Sequence, residues 1–180
     1  MTPESIPDSS PNGDCARLCL RPVRSEDDEF LYLLYADTRG QEMAAWGWDS
    51  IQQNAFLQMQ FRARRQGYAA DYPDADHQLV CSEGQPIGRL IVHRCEHKAH
   101  LVDIAILTDH RNRGVGSELL RGLIAECQAS GKLLTLQVDK VNRAIRLYQR
   151  LGFSTNAEDA LFYKMSCAPA SGAASKTGNP

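Results

Sequence analysis

No stretch of this chain approaches the ~20 consecutive apolar residues that a membrane-spanning helix needs. The first residues, Met1 to Asp14, lack the charged start and apolar middle of a secretory leader, so a cytoplasmic protein is expected. Charge of one sign is equally scarce. A net charge of −2 gives no electrostatic ground for nucleic acid or an anionic membrane as a partner. The six cysteines, at 15, 19, 81, 95, 127 and 167, include no Cys-x-x-Cys pair and sit mostly in apolar segments, as small core residues of a reducing compartment do. Alternation sends His93, Cys95 and His97 to one face, so a zinc site is geometrically open, but Glu96 to Lys98 fits a solvated turn equally well. No metal is expected. Internal repeats are also lacking.

What is present suits one core. With 180 residues and 43% hydrophobic content, a single domain is expected. Residues 1–14 carry Pro3, Pro7 and Pro11, and residues 168–180 contain no large apolar side chain. Neither end buries enough surface to offset its ordering entropy, which leaves a domain at 15–167 between two disordered tails.

Periodicity places the elements. Leu18 and Leu20 alternate with polar neighbours in a first strand ended by Pro22, and Ser25 then caps a helix over about 26–38. Ile51, Ala55, Phe56, Met59 and Ala63 give a second amphipathic helix from about 49 to 66, with a loop from Tyr68 to His77. Strands at 78–82, 87–95 and 99–107 are joined closely enough for antiparallel hairpins. A helix over about 115–129 stops near Gly131, a strand follows at 133–138, and a helix over 142–151 ends at Gly152 as a left-handed cap. A hairpin at 153–155 and 161–165 completes a mixed, mostly antiparallel sheet with helices on both faces, an α/β arrangement.

The segment Arg111 to Ser117 stands between a buried strand and a helix start. Gly114 and Gly116 let backbone N–H groups converge there, and the first helical turn adds the positive end of its dipole. Arg111 and Arg113 add formal charge, so a phosphorylated ligand is expected. A P-loop requires Lys and Ser or Thr after the glycine, but Ser117 and Glu118 follow Gly116; a dinucleotide fingerprint requires a third glycine where Leu119 stands.

With Asp103 to Leu107 leading into Arg111 to Gly116, and Asn142 to Phe153 about 30 residues later, the chain resembles the GNAT superfamily of acetyl-CoA-dependent N-acetyltransferases. The resemblance extends from about Leu18 to Met165 and implies the acyl-CoA N-acyltransferase fold. It implies that Arg111, Asn112, Arg113, Gly114, Val115, Gly116 and Ser117 hold the coenzyme A pyrophosphate, that Asn142 faces the pantetheine arm, and that Tyr148 lies beside the thioester sulfur. It also implies that the strand ending at Ile106, Leu107 and Thr108 splays from its neighbour and leaves backbone amides free. The Leu107 N–H is the expected oxyanion contact. Acetyl-CoA is then the co-substrate, and the acetyl group passes directly to a primary amine of a small molecule or peptide. A non-catalytic acyl-CoA sensor with the same fold is the alternative.

The chemistry needs a neutral amine, a donor for the developing oxyanion and a proton for the departing thiolate. Tyr148, protonated at neutral pH, suits the last of these, although a helical tyrosine often only packs its ring. Asp103 interrupts an apolar strand and points to the side of Leu101, Ala105 and Leu107. A carboxylate there is costly without a task or partner, so it is either the general base or the partner of an arginine such as Arg89. The resemblance assigns the acceptor pocket to the first two helices and their connecting loop, which points to Tyr32, Tyr35, Arg39, Trp46, Trp48, Gln58, Gln60 and Tyr68, with Tyr35, Trp46, Trp48 and Gln60 foremost and the two tryptophans offering an aromatic wall. Exposed strand edges make a homodimer a reasonable expectation.

Overall fold

The computed structural model describes residues 18–43 and 47–169. The tail expected at 1–14, and all but two residues of the one expected at 168–180, lie outside them. The elements follow in the order β1 (Leu18–Pro22), α1 (Asp28–Met43), α2 (Ser50–Asp71), β2 (Asp76–Ser82), β3 (Gln85–Arg94), β4 (Lys98–Ile106), α3 (Val115–Ala129), β5 (Leu133–Asp139), α4 (Ile145–Arg150), β6 (Ser154–Glu158) and β7 (Phe162–Cys167). One departure from the sequence reading is large. The segment after residue 66 was expected to be a loop from Tyr68, yet α2 continues to Asp71. Its last turns are held by polar contacts of Arg64 and Tyr68 to the sheet, which a search for apolar periodicity passes over.

Seven strands form one sheet in the order β1-β2-β3-β4-β5-β7-β6. All neighbours pair antiparallel except β4 and β5. One face packs Leu79 and Cys81 under Leu31, Tyr35 and Phe61 of α1 and α2. The opposite face packs Val80, Leu90, Val92 and Leu101 against Leu119, Leu120, Leu123 and Cys127 of α3 and Tyr148 of α4. The alternating inward residues of β2, Leu79 against Val80, feed the two cores in turn.

Two irregularities shape the middle of the sheet. The first is a bulge in β4: Val92 pairs with Leu101 but Ile91 pairs with Asp103, so Val102 is an extra residue. The extra residue inverts the alternation. Leu101 stays in the α3 core, Ile104 and Ile106 also pack there, and Asp103 turns to the α1/α2 face. The expectation that Asp103 shares a side with Leu101 is therefore corrected by one inserted residue.

The second is a divergence. β4 and β5 pair only from Lys98 to Leu101 against Leu133 to Leu136, after which β4 continues to Ile106 along β3 and β5 to Asp139 along β7. The sheet opens between them. β3 and β4 stay tightly apposed beside the opening, because a Cβ at Gly88 would meet the Ala105 carbonyl oxygen at 2.5 Å and the Ile106 Cα at 3.3 Å.

Candidate active site

The loop after β4 builds the anion cradle. Asn112 takes φ +60° and Gly114 takes φ +87°, and the second of these left-handed residues is the N-cap of α3. No side chain caps that helix, so the first-turn amides of Val115, Gly116 and Ser117 are left for a ligand. A Cβ at Gly116 would lie 3.5 Å from Leu147 Cδ2, which marks how near α4 comes to the cradle.

The two arginines of the loop are not equivalent. Arg111 Nε donates to the Ile106 carbonyl at 2.7 Å, and its Nη2 meets Asp37 Oδ2 at 3.0 Å. Thr108 gives that same carboxylate oxygen both its N–H and its hydroxyl proton, each at 2.9 Å. Arg111 thus ties the loop to α1 as a strut, and the charge it was expected to offer a phosphate is shared with Asp37. Arg113 is exposed, and its guanidinium makes no ion pair among the described residues.

Asp37 was missed by sequence reasoning, and no local signal would have found it, since its contacts bridge 71 and 74 residues. Replacing Asp37 with Asn removes one charge-assisted partner from three donors. We expect the KM for acetyl-CoA to rise about tenfold while the melting temperature moves little, because each such bond is worth roughly 1.5–3 kcal/mol and the site is exposed. Steady-state kinetics alongside calorimetry checks both halves of this statement.

The backbone amides at the end of β4 are also redistributed. The Leu107 N–H donates to the Ile87 carbonyl at 2.9 Å, so it is consumed by the β3 ladder and is not the free oxyanion donor expected. Amides of an antiparallel strand alternate in direction, so the neighbouring Ile106 N–H points away from β3 and into the gap toward β5.

On the α3/α4 side of the gap stand the other predicted contacts. Asn142 Oδ1 accepts the Ala144 N–H at 2.8 Å and so starts α4, while its amide nitrogen carries no bond among the described residues. Gly152 takes φ +92° just past the C-terminal end of α4, as the sequence indicated. Tyr148 is 6% exposed, with its ring edge-on to Phe153 at 5.7 Å. Its hydroxyl has no hydrogen-bond partner among the described residues, yet no buried side-chain oxygen or nitrogen among them goes unpartnered, so that oxygen reaches the surface they form. Burial, and then the Asp103 charge, push this phenol up to about 12.

On the α1/α2 side lies a polar cluster. Arg89 directs Nε at 3.0 Å and Nη2 onto Asp103 Oδ2, while Arg64 Nη2 at 3.2 Å and the Tyr68 hydroxyl at 3.3 Å reach Oδ1. The ion-pair reading of Asp103 is thus present in the structure, with a second arginine and a phenol added. Arg64 Nε also donates to the Tyr68 oxygen at 2.7 Å, and burial followed by the Asp103 charge pushes the Tyr68 phenol up to about 12. Gln60, Arg64 and Tyr68 recur every four residues on α2, beside the apolar Leu57 and Phe61. That polar stripe on an otherwise buried flank was the signal for Arg64.

Of the acceptor candidates, Tyr35 and Gln60 are brought together by a 3.0 Å hydrogen bond from hydroxyl to Oε1. Trp48 is 39% exposed and lies edge-on to Phe56 at 5.2 Å. Trp46 lies outside the described residues. His93 and His100 pair across the strands under the Tyr72 ring, His100 Nδ1 lies 2.9 Å from the Thr135 hydroxyl, and His97 is out in the turn. No helix among the described residues is long and apolar enough to cross a membrane.

A sheet that opens in its middle, with an uncapped helix and a glycine turn on one side and a polar cluster on the other, is an arrangement able to hold a phosphorylated ligand across the gap. The match to the Acetyltransferase (GNAT) family spans residues 28–153, and the chain belongs to that family. Among characterised proteins it is 34% identical over 92 residues to the L-amino acid N-acetyltransferase AaaT of Escherichia coli (strain K12), covering 47% of this chain and 56% of that protein. Among solved structures it is similar to PaiA N-acetyltransferase from Thermoplasma acidophilum in complex with coenzyme A, with a TM-score of 0.65 at 15% identity, over 84% of this chain and 99% of the other. The ribosomal-protein-S18-alanine N-acetyltransferase from Escherichia coli is similar at a TM-score of 0.58 and 20% identity, over 88% and 98%. At these identities the structural likeness is one of fold.

Proposed function

We propose that this protein transfers the acetyl group of acetyl-CoA directly to a primary amine, without a covalent enzyme intermediate. The observation that carries this reading is the Tyr148 hydroxyl, unpartnered, open and protonated, at a gap in the sheet whose far side holds the Asp103 cluster. The residues present suit coenzyme A. The amides of Val115, Gly116 and Ser117, with Arg113, take the pyrophosphate, and the free amide of Asn142 takes a pantetheine carbonyl. Bound acetyl-CoA supplies an activated thioester carbon.

The Ile106 N–H, in place of Leu107, polarises the carbonyl and stabilises the oxyanion as the amine adds. Tyr148 gives its proton to the sulfur as the carbon–sulfur bond breaks and recovers one from solvent. The amine's proton leaves through the open acceptor side. Asp103 holds Arg64 and Arg89 in place, since both of its oxygens are already engaged. The Escherichia coli relative is named for L-amino acids. For this chain we keep two acceptors, a small amine of that kind and a peptide N-terminus.

Free thiol followed with acetyl-CoA and a panel of amines, amino acids and peptides tests the reading. We expect thiol to appear only when an acceptor is present. Tight coenzyme binding with no thiol from any acceptor would replace the transferase by a sensor of the same fold.

A further inference from the structure

We propose that the acceptor carries a carboxylate next to its amine, and that Arg64, with Arg89 behind it, binds that carboxylate. The proposal deepens the transferase reading and rests on it. It separates the two acceptors left open, because a free amino acid bears an anion one carbon from its amine and a peptide N-terminus bears a neutral amide there.

The argument begins with charge. Two guanidiniums converge on one carboxylate, Asp103, whose side chain is 11% exposed. The nearby phenols of Tyr68 and Tyr148 are neutral at pH 7, both pushed up to about 12, and Asp37 is spent on Arg111 and Thr108. One positive charge is left over beside Asp103, and it falls on Arg64, whose side chain is 39% exposed and so within reach of an anion from solvent.

The donors are placed to receive one. Arg64 uses Nε on Tyr68 and Nη2 on Asp103, which leaves Nη1 without a hydrogen bond among the described residues on a side chain 39% exposed. Arg89 uses Nε and Nη2, so its Nη1 is likewise unbonded although the side chain is only 8% exposed. Since no buried side-chain nitrogen among the described residues lacks a partner, that Nη1 opens to the surface they form.

The position suits the chemistry. Asp103 stands on β4 beside the gap, and its charge is felt by Tyr148 on the opposite face. An acceptor whose carboxylate sits on Arg64 and Arg89 would present its amine to the gap, opposite the phenol that serves the sulfur. Specificity would arise because a neutral amide leaves the guanidinium donors desolvated and without an anion.

The experiment compares L-leucine, L-phenylalanine and L-lysine with their C-terminal amides as acceptors, at saturating acetyl-CoA. We expect kcat/KM for at least one acid to exceed that of its amide by about 100-fold, the scale of one or two charged hydrogen bonds. Arg64→Gln should bring that ratio near one, and Arg64→Lys should restore part of it. Amides used as well as acids by the unaltered protein, or a ratio unchanged in Arg64→Gln, would overturn the proposal and leave the transferase standing. If none of the six is acetylated, calorimetric titration of the same compounds into protein saturated with coenzyme A decides. Acid binding that exceeds amide binding and depends on Arg64 upholds the site, and equal or absent binding of both removes it.

Discussion

Replacing Tyr148 with Phe should lower kcat about 100-fold at saturating substrates and leave the KM for acetyl-CoA nearly unchanged. The reason lies in what the change removes. The ring stays in the core against Phe153, so packing is preserved, and the lost hydroxyl bonds nothing among the described residues. Only a task in the transition state is deleted, and a positioned general acid contributes roughly 10²–10⁴ in rate. Wild-type kcat should not fall on the alkaline side through this group until pH approaches its raised value of about 12.

The same shift has a consequence for stability, with a definite sign. Burial, and then the Asp103 charge, raise the folded phenol above its ordinary value of 10.0, so between that pH and about 12 the folded state binds more protons than the unfolded one. The stabilisation is complete below pH 10 and is lost as pH climbs toward 12. Tyr148→Phe should unfold less steeply across that window. An unchanged kcat in this variant would remove the acid role, whatever the stability profile does.

How far the sequence could be read depended on the range of each signal. The cradle at Arg111 to Ser117 is local. Glycines at turn positions and a helix start nearby are properties of a few adjacent residues, and Gly114 and Gly152 take the left-handed conformations their positions required. The helices that bury an apolar stripe were found for the same reason. What escaped depends on register. One extra residue at Val102 decides which face Asp103 occupies, and one step along the ladder decides whether Leu107 or Ile106 points its amide into the gap. Neither choice leaves a mark in composition, since both strands look apolar on either side of the bulge. Arg111 illustrates a further limit. An arginine beside two glycines looks like a phosphate ligand, and only the fold brings Asp37 from α1 to claim it.

Replacing Asp103 with Asn should lower the melting temperature by about 10 °C and leave the acid limb of the pH–rate profile in place. Asp103 is the only carboxylate among the described residues bonded to Arg89, whose side chain is 8% exposed, and it also holds Arg64 and Tyr68. Asparagine keeps the shape but removes the charge, which strands a buried guanidinium. Breaking such a pair from one side costs roughly 3–5 kcal/mol, and each kcal/mol shifts a domain of this size by about 2–4 °C. Replacing both partners, with Arg89→Met added, should recover part of the loss, because no stranded charge then remains. A general base predicts the opposite pair of results. Its removal would abolish the acid limb while the fold stayed nearly as stable. The geometry favours the first outcome: Oδ2 receives both Arg89 donors and Oδ1 receives Arg64 and Tyr68, so the carboxylate has no oxygen free for an incoming amine. A thermal scan and a pH profile of this one variant therefore decide whether Asp103 accepts a proton or fixes Arg64 and Arg89.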